Sequence, residues 1–335
     1  MRSKSSLPWR LRARPLLVGL AALLMSGFGL NVSGAAPKRL LIVGQGPDGH
    51  PPATHEFMAG AKVLSELLKP FRDLQCTVVK ADEPWKEGPA LLDQADGIVM
   101  LVTQGAEWMQ TDPARHAALR RLAARGGAIV ALHWSVGAKD AKYIQGQLEL
   151  LGATRGGPQR KYLVLPTELK RVSPAHPILT GVGDVNVYEE IYYALDRVPG
   201  IQPLFTARIE GQDEMAAWSW ERPDGGRAFG FVGLHFHSNW QLPAYRRFVV
   251  QGVLWSLKLP IPLGGAAVDI DSRHLELNGV LPPPAGPDAD KNTKAAGPGK
   301  ANRIRDATPS VICPPPSPGF AEPAEVPPWS RRATT

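Results

Sequence analysis

Residues 36–263 read as an α/β domain, a mainly parallel sheet covered by helices on both faces with antiparallel additions in its second half. Two observations predict this class. In the first half, short apolar runs rich in β-branched residues alternate with stretches that are apolar at helical spacing, the pattern of parallel strands joined by crossover helices. In the second half, strand-like runs follow one another with no linker-like stretch to set them apart, so they extend the same domain.

The elements follow in order. Residues 38–43 form an apolar run that ends in Gly, and residues 53–68 place Phe57, Ala61, Leu64, Leu67 and Leu68 on one helical face. Residues 76–80 and 97–102 read as the second and third strands. Residues 112–125 read as a helix opened by Asp112-Pro113, which suits an N-cap followed by proline at the first helical position. Residues 127–132 supply a fourth apolar run. Strands are then expected at 161–168, 189–194, 201–207 and 215–220. Strict alternation over 227–237 puts Phe229, Phe231, Gly233, His235 and His237 on one side. A last helix, 243–257, carries Tyr245, Phe248, Gly252 and Trp255. Sheets of this kind hold their sites at the carboxyl ends of the strands.

The two ends of the chain are different in character. The 335 residues hold 38 Lys and Arg against 31 Asp and Glu, a formal charge of +7. Arg2, Lys4, Arg10, Arg12 and Arg14 precede every acidic residue and are followed by an apolar run over 16–30 and then Ser33-Gly34-Ala35, the layout of a signal peptide cut after Ala35. The protein is therefore expected to be exported, periplasmic or secreted; a membrane anchor formed by an uncleaved signal is the alternative. Without that segment the charge is nearly balanced and contains no long basic block, which removes the support for nucleic-acid binding. From residue 280 onward lie 13 of the 33 prolines, so residues 264–335 are read as a Pro-rich, largely disordered tail, a place for a partner to bind. Two cysteines, Cys76 and Cys313, cannot build a disulfide framework or a four-thiolate metal site.

Three constellations carry candidate chemistry. Gly44-Gln45-Gly46-Pro47-Asp48-Gly49 meets the G-x-G-x-x-G pattern, but Pro51 and Pro52 follow and the helix starts only near Thr54, so no helix N-terminus is offered to a pyrophosphate. No nucleotide cofactor is expected; the loop instead presents Asp48, His50, His55 and Glu56, with Thr54 read as an N-cap. His133-Trp134-Ser135-Val136-Gly137, after the fourth strand, stands where a nucleophile elbow would, and Ser135, Glu189 or Glu190, and His235 or His237 follow the hydrolase order. His133 in place of the elbow's first glycine argues against that reading. Finally, His55 and His133 fall at expected carboxyl ends of strands and His235 on the face of the strand 227–237, so that they can converge over one sheet edge and suit a divalent metal such as zinc or an acid/base pair with Glu190. Trp134 and Trp240 lie at the same edge and are candidates to stack on a sugar ring. Each of these histidines and tryptophans, taken singly, is better read as a core or edge residue.

Taken in order, Leu132-His133, His176-Pro177-Ile178 with Gly181, Glu189-Glu190-Ile191-Tyr192, Gly226-Arg227-Ala228-Phe229 leading to His235, and the helix of Trp255 resemble the trehalose-utilisation (ThuA-like) family over residues 38–259. The resemblance implies a flavodoxin-like fold akin to the class I glutamine amidotransferases and a link to bacterial carbohydrate metabolism. Those amidotransferases carry a cysteine nucleophile at the elbow; here the elbow reads His133-Trp134-Ser135, and Cys76 lies on an early strand, so glutaminase chemistry is not expected.

The expectation is thus an exported protein that acts on or binds a sugar or keto-sugar. His133, His235 and Glu190 are its catalytic candidates, and His55, His133 and His235 its metal ligands. Trp134, Trp240, His237, Asp48, His50 and Tyr192 are its substrate contacts, and assembly as a homo-oligomer is an open expectation. Two alternatives stand beside it: a non-catalytic carbohydrate-binding or assembly module, and a hydrolase dependent on Ser135.

Overall fold

The computed structural model describes residues 36–277. The signal-peptide reading of residues 1–35, most of the tail and Cys313 lie outside them. Five strands form a parallel core: β1 (Lys38–Gly44), β2 (Leu74–Lys80), β3 (Gly97–Leu101), β4 (Ala128–Leu132) and the late strand Arg227–Phe231. Short strands β5 (Gly137–Ala138), β6 (Ala153–Gly156) and β9 (Asp196–Arg197) make a separate small sheet. β7 (Lys161–Arg171), β8 (Val185–Tyr193), β10 (Gln202–Ile209) and β11 (Gln212–Glu221) complete the main one, which makes Arg227–Phe231 β12. The order is β2-β1-β3-β4-β12-β11-β10-β7-β8, antiparallel from β12 onward.

The parallel part has the flavodoxin-like order, in which the first strand lies inside the second and the chain reverses direction between β1 and β3. Helices α1 (Phe57–Leu68) and α6 (Pro243–Ser256) pack together on one face. On the other lie α2 (Gly88–Gln94), α3 (Gly105–Thr111), α4 (Pro113–Ala124) and α5 (Ile144–Leu151). Every residue of β3 and β4 is buried, which is why their runs are apolar throughout rather than alternating. Asp112 caps α4 as expected, accepting from the backbone N–H of Ala114 and Arg115. On the α6 side the core centres on Phe248, with Phe205, Phe229 and Phe231 tilted edge-to-face around it at 4.5–5.2 Å between ring centres.

Three expectations are corrected. α1 begins at Phe57, after Glu56, and Thr54 is no cap: its hydroxyl donates to the Pro51 carbonyl and its backbone bridges to Phe236. β12 stops at Phe231, so His235 and His237 do not share a strand face. Leu234 turns into the left-handed region at φ +82°, and the N–H groups of Leu234 and His235 leave the ladder for the Glu189 carboxylate. Lastly, the packed chain runs past residue 263. Ala266 and Val268 are buried, and Gln251, Arg246 and Arg247 of α6 hold the backbone of 266–268. Among the described residues no helix is long and apolar enough to cross a membrane.

Candidate functional site

The carboxyl ends of β1, β3, β4 and β12 meet over the reversal point between β1 and β3. The loop after β1 supplies Asp48, His50 and His55, the turn after β4 supplies His133, and the segment after β12 supplies His235. Backbone bonds from His55 N–H to the His235 carbonyl (3.0 Å) and from His237 N–H to the Ala53 carbonyl (2.9 Å) lock the first and last of these segments together.

Both His55 and His133 sit in the left-handed region, at φ +52° and +51°. Such a conformation costs a non-glycine residue about 1–3 kcal/mol and persists only where surrounding contacts impose it. At the end of β4 it is His133, the first residue after the strand, that occupies the strained turn. Ser135 does not reach the histidines. Its side chain is fully buried, accepts from Val102 N–H (2.7 Å) and donates to the Val102 carbonyl (3.1 Å), and so pins the turn to the end of β3. The serine-hydrolase arrangement is thus not assembled, and the elbow presents an imidazole instead.

The hydrogen-bond partners fix the tautomers. His133 Nδ1 lies 2.8 Å from the Val232 carbonyl, which only accepts, so Nδ1 carries the proton and Nε2 is a bare lone pair. His55 Nδ1 donates to Asp48 Oδ2 at 2.7 Å, so its Nε2 is bare as well. These two lone pairs face each other across 2.9 Å. His235 Nδ1 is 3.1 Å from the same His133 nitrogen, and the Tyr192 hydroxyl donates to it at 3.1 Å. The three imidazoles together bring one nitrogen each within 4.8 Å of one another. Burial outweighs their other contacts and keeps them neutral, with His55 lowered to about 4, His235 to about 3 and His133 well below its ordinary value.

Carboxylates surround this centre. Burial would raise Asp48, but bonds from His55, Thr103 and His50 prevail and hold it down to about 2. Glu190 lies 3.7 Å from His235 Nδ1, and burial raises its carboxyl above the ordinary range. Glu189, adjacent in sequence, points the other way into the core. It accepts from the backbone N–H groups of Leu234, His235 and Glu190, from Asn239 Nδ2 and from the Tyr245 hydroxyl, and thereby holds the His235 segment in place.

A cavity of about 290 Å³ opens beside the histidines, with His50, His55, Trp134, Glu190 and Tyr192 in its wall. Of the expected sugar contacts, Trp134 lines it and Trp240 does not. Trp240 is only 2 % exposed and packs its indole against Gly60 of α1. His237 is also outside the wall, with Nε2 against the Leu275 carbonyl. Three cations and a tyrosine in the wall, Lys139, Arg155, Arg160 and Tyr162, lie in no motif and were not anticipated. The one hint was Gly137, whose added Cβ would stand 1.9 Å from the Arg155 carbonyl oxygen; only glycine lets β5 run close enough to β6 to seat Arg155 here. Cys76 lies on the edge strand β2, and burial pushes its thiol up to about 11.

A flavodoxin-ordered sheet with ionisable side chains gathered over its reversal point defines an α/β protein with a ligand site at the carboxyl edge. More particularly, the chain belongs to the trehalose utilisation (ThuA) family, whose model matches residues 42–256, and membership gives it a carbohydrate-related role. No curated protein matches it. Among solved structures it is similar to a ThuA-like protein from Bacteroides uniformis, at 14 % identity over 69 % of this chain and 95 % of that one, with a TM-score of 0.51. A ThuA-like protein from Parabacteroides merdae aligns at 15 % identity over 67 % and 90 %, also at 0.51. At these identities the likeness is one of fold.

Proposed function

We propose that this exported ThuA protein binds a divalent cation, zinc foremost, through His55, His133 and His235, and acts on a sugar or keto-sugar held in the adjoining cavity. The observation that carries the reading is the meeting of the unprotonated Nε2 atoms of His55 and His133 across 2.9 Å with a third imidazole beside them. Two neutral lone pairs repel unless a proton or a cation sits between them, and burial disfavours the proton. Tetrahedral zinc with bonds of 2.0–2.1 Å asks for nitrogens about 3.3 Å apart, and the His133–His55 and His133–His235 pairs, at 2.9 and 3.1 Å, need part by only a few tenths of an ångström. The outer partners, Asp48 on His55 and the Val232 carbonyl on His133, are those that orient metal-binding imidazoles.

A bound cation would polarise a carbonyl or hydroxyl oxygen of the sugar. Glu190, raised by burial, is suited to accept and return a proton near neutrality, and Trp134 offers its face to the ring. Metal analysis of the purified protein tests the reading. About one divalent ion per chain is expected, lost in His133→Ala together with sugar binding. A metal-free protein whose sugar binding survives His133→Ala would instead make it a non-catalytic carbohydrate-binding module.

A further inference from the structure

We infer that the sugar carries an oxyanion, a carboxylate or a phosphate, and that Arg155 is the residue that reads it. The inference rests on the sugar-site reading above and narrows its substrate class. Arg155 is only 6 % exposed, yet among the described residues its guanidinium has no hydrogen-bond partner and no carboxylate within 4.0 Å, and its Nε is buried without a partner. Its guanidinium carbon stands over the Tyr192 ring, 4.0 Å from the ring centre, and 5.1 Å from the centre of the Tyr162 ring. Stacking holds the plane of the fork but satisfies none of its five N–H donors. A guanidinium whose Nε is buried without a partner is costly to keep unless a ligand completes the fork, and a planar fork matches the two oxygens of a carboxylate or phosphate.

The rest of the wall agrees in charge. Lys139 and Arg160 also face the cavity, and neither is in an ion pair among the described residues; the one carboxylate of the wall is Glu190. Other cations of the domain, such as Arg115, Arg121 and Arg171, are paired with Asp or Glu. Three unpaired cations over a single carboxylate make the mouth of the cavity attractive to anions.

Calorimetry on the metal-loaded protein with matched sugars tests this: D-glucose against D-glucuronate and D-glucose 6-phosphate, and D-galactose against D-galacturonate. The anionic member is expected to bind roughly 10- to 100-fold more tightly, the contribution of a charge-assisted fork. Arg155→Met should abolish the preference while keeping the bound metal. Arg155→Lys should restore part of it, and Arg160→Met, at the half-buried rim, should reduce it without risk to the fold. The inference is overturned if neutral and anionic members bind alike, if neither binds, or if the preference survives both methionine variants. In each of those cases the metal content still reads the histidine centre independently.

Discussion

Replacing Asp48 by Asn probes the support beneath the histidine centre. The carboxylate accepts four hydrogen bonds: on Oδ2 from His55 Nδ1 (2.7 Å) and Thr103 Oγ1 (2.9 Å), and on Oδ1 from the ring (2.9 Å) and the backbone (3.2 Å) of His50. Asparagine keeps one oxygen, enough for His55 and Thr103, so the His55 tautomer persists. Its NH₂ then faces His50, whose side chain is 34 % exposed and free to turn away. What disappears at His55 is the charge of its acceptor; the two bonds from His50 are lost with Oδ1. Hydrogen bonds to charged groups contribute about 1.5–3 kcal/mol and neutral ones about 0.5–1.5, so His55 loses about 1–1.5 kcal/mol of support. That is roughly tenfold in zinc affinity, at the lower end of the roughly 10- to 100-fold that outer partners of a metal site control. Competition with a chromogenic chelator at neutral pH measures it, with circular dichroism to show that the variant is folded. A folded Asp48→Asn protein with unchanged zinc affinity would refute the reasoning.

Three further outcomes are expected. Gly105→Ala would place a methyl 2.2 Å from the Ser135 carbonyl oxygen, against backbone that cannot swing aside, and should cost about 1–3 kcal/mol or more in urea unfolding. His176, lowered by burial to about 4 from an ordinary 6.5, takes up its proton later than the unfolded chain does. Stability should therefore fall as pH drops from 6.5 toward 4, and His176→Asn should make that part of the profile less steep, by its share beside the other buried histidines, in a series of urea titrations. Trp134→Leu should weaken sugar binding by about 2- to 10-fold in calorimetry, the worth of an aromatic face beyond its area, while leaving the metal content unchanged.

The parallel core was legible because burial on both faces leaves its mark as uninterrupted apolar runs, as in β3 and β4. The gathering of His55 and His133 with His235 was legible for a related reason: His55 and His133 follow such runs, His235 lies in the alternating segment of a neighbouring strand, and parallel strands end on one edge. Side-chain direction was not legible where the backbone leaves the ladder. Ser135 and Trp240 lie at the right edge of the sheet, but a turn bonded to Val102 and a helix packed through Gly60 turn them into the core. The alternation of 227–237 outlasted β12 because it continues through a segment whose N–H groups bond to a carboxylate rather than to a strand. Arg155 escaped notice because its position depends on a two-residue parallel contact with Gly137, too short to leave a periodic signal.

The central claim is that His55, His133 and His235 share one cation. Zinc-edge X-ray absorption on the loaded full-length protein tests it most directly. The account predicts about one zinc per chain with three imidazole nitrogens at 2.0–2.1 Å, and loss of one nitrogen shell or of the zinc itself in His235→Ala. Zinc that binds with the same spectrum after His133 and His235 are both replaced, or a folded protein that takes up none, would contradict it.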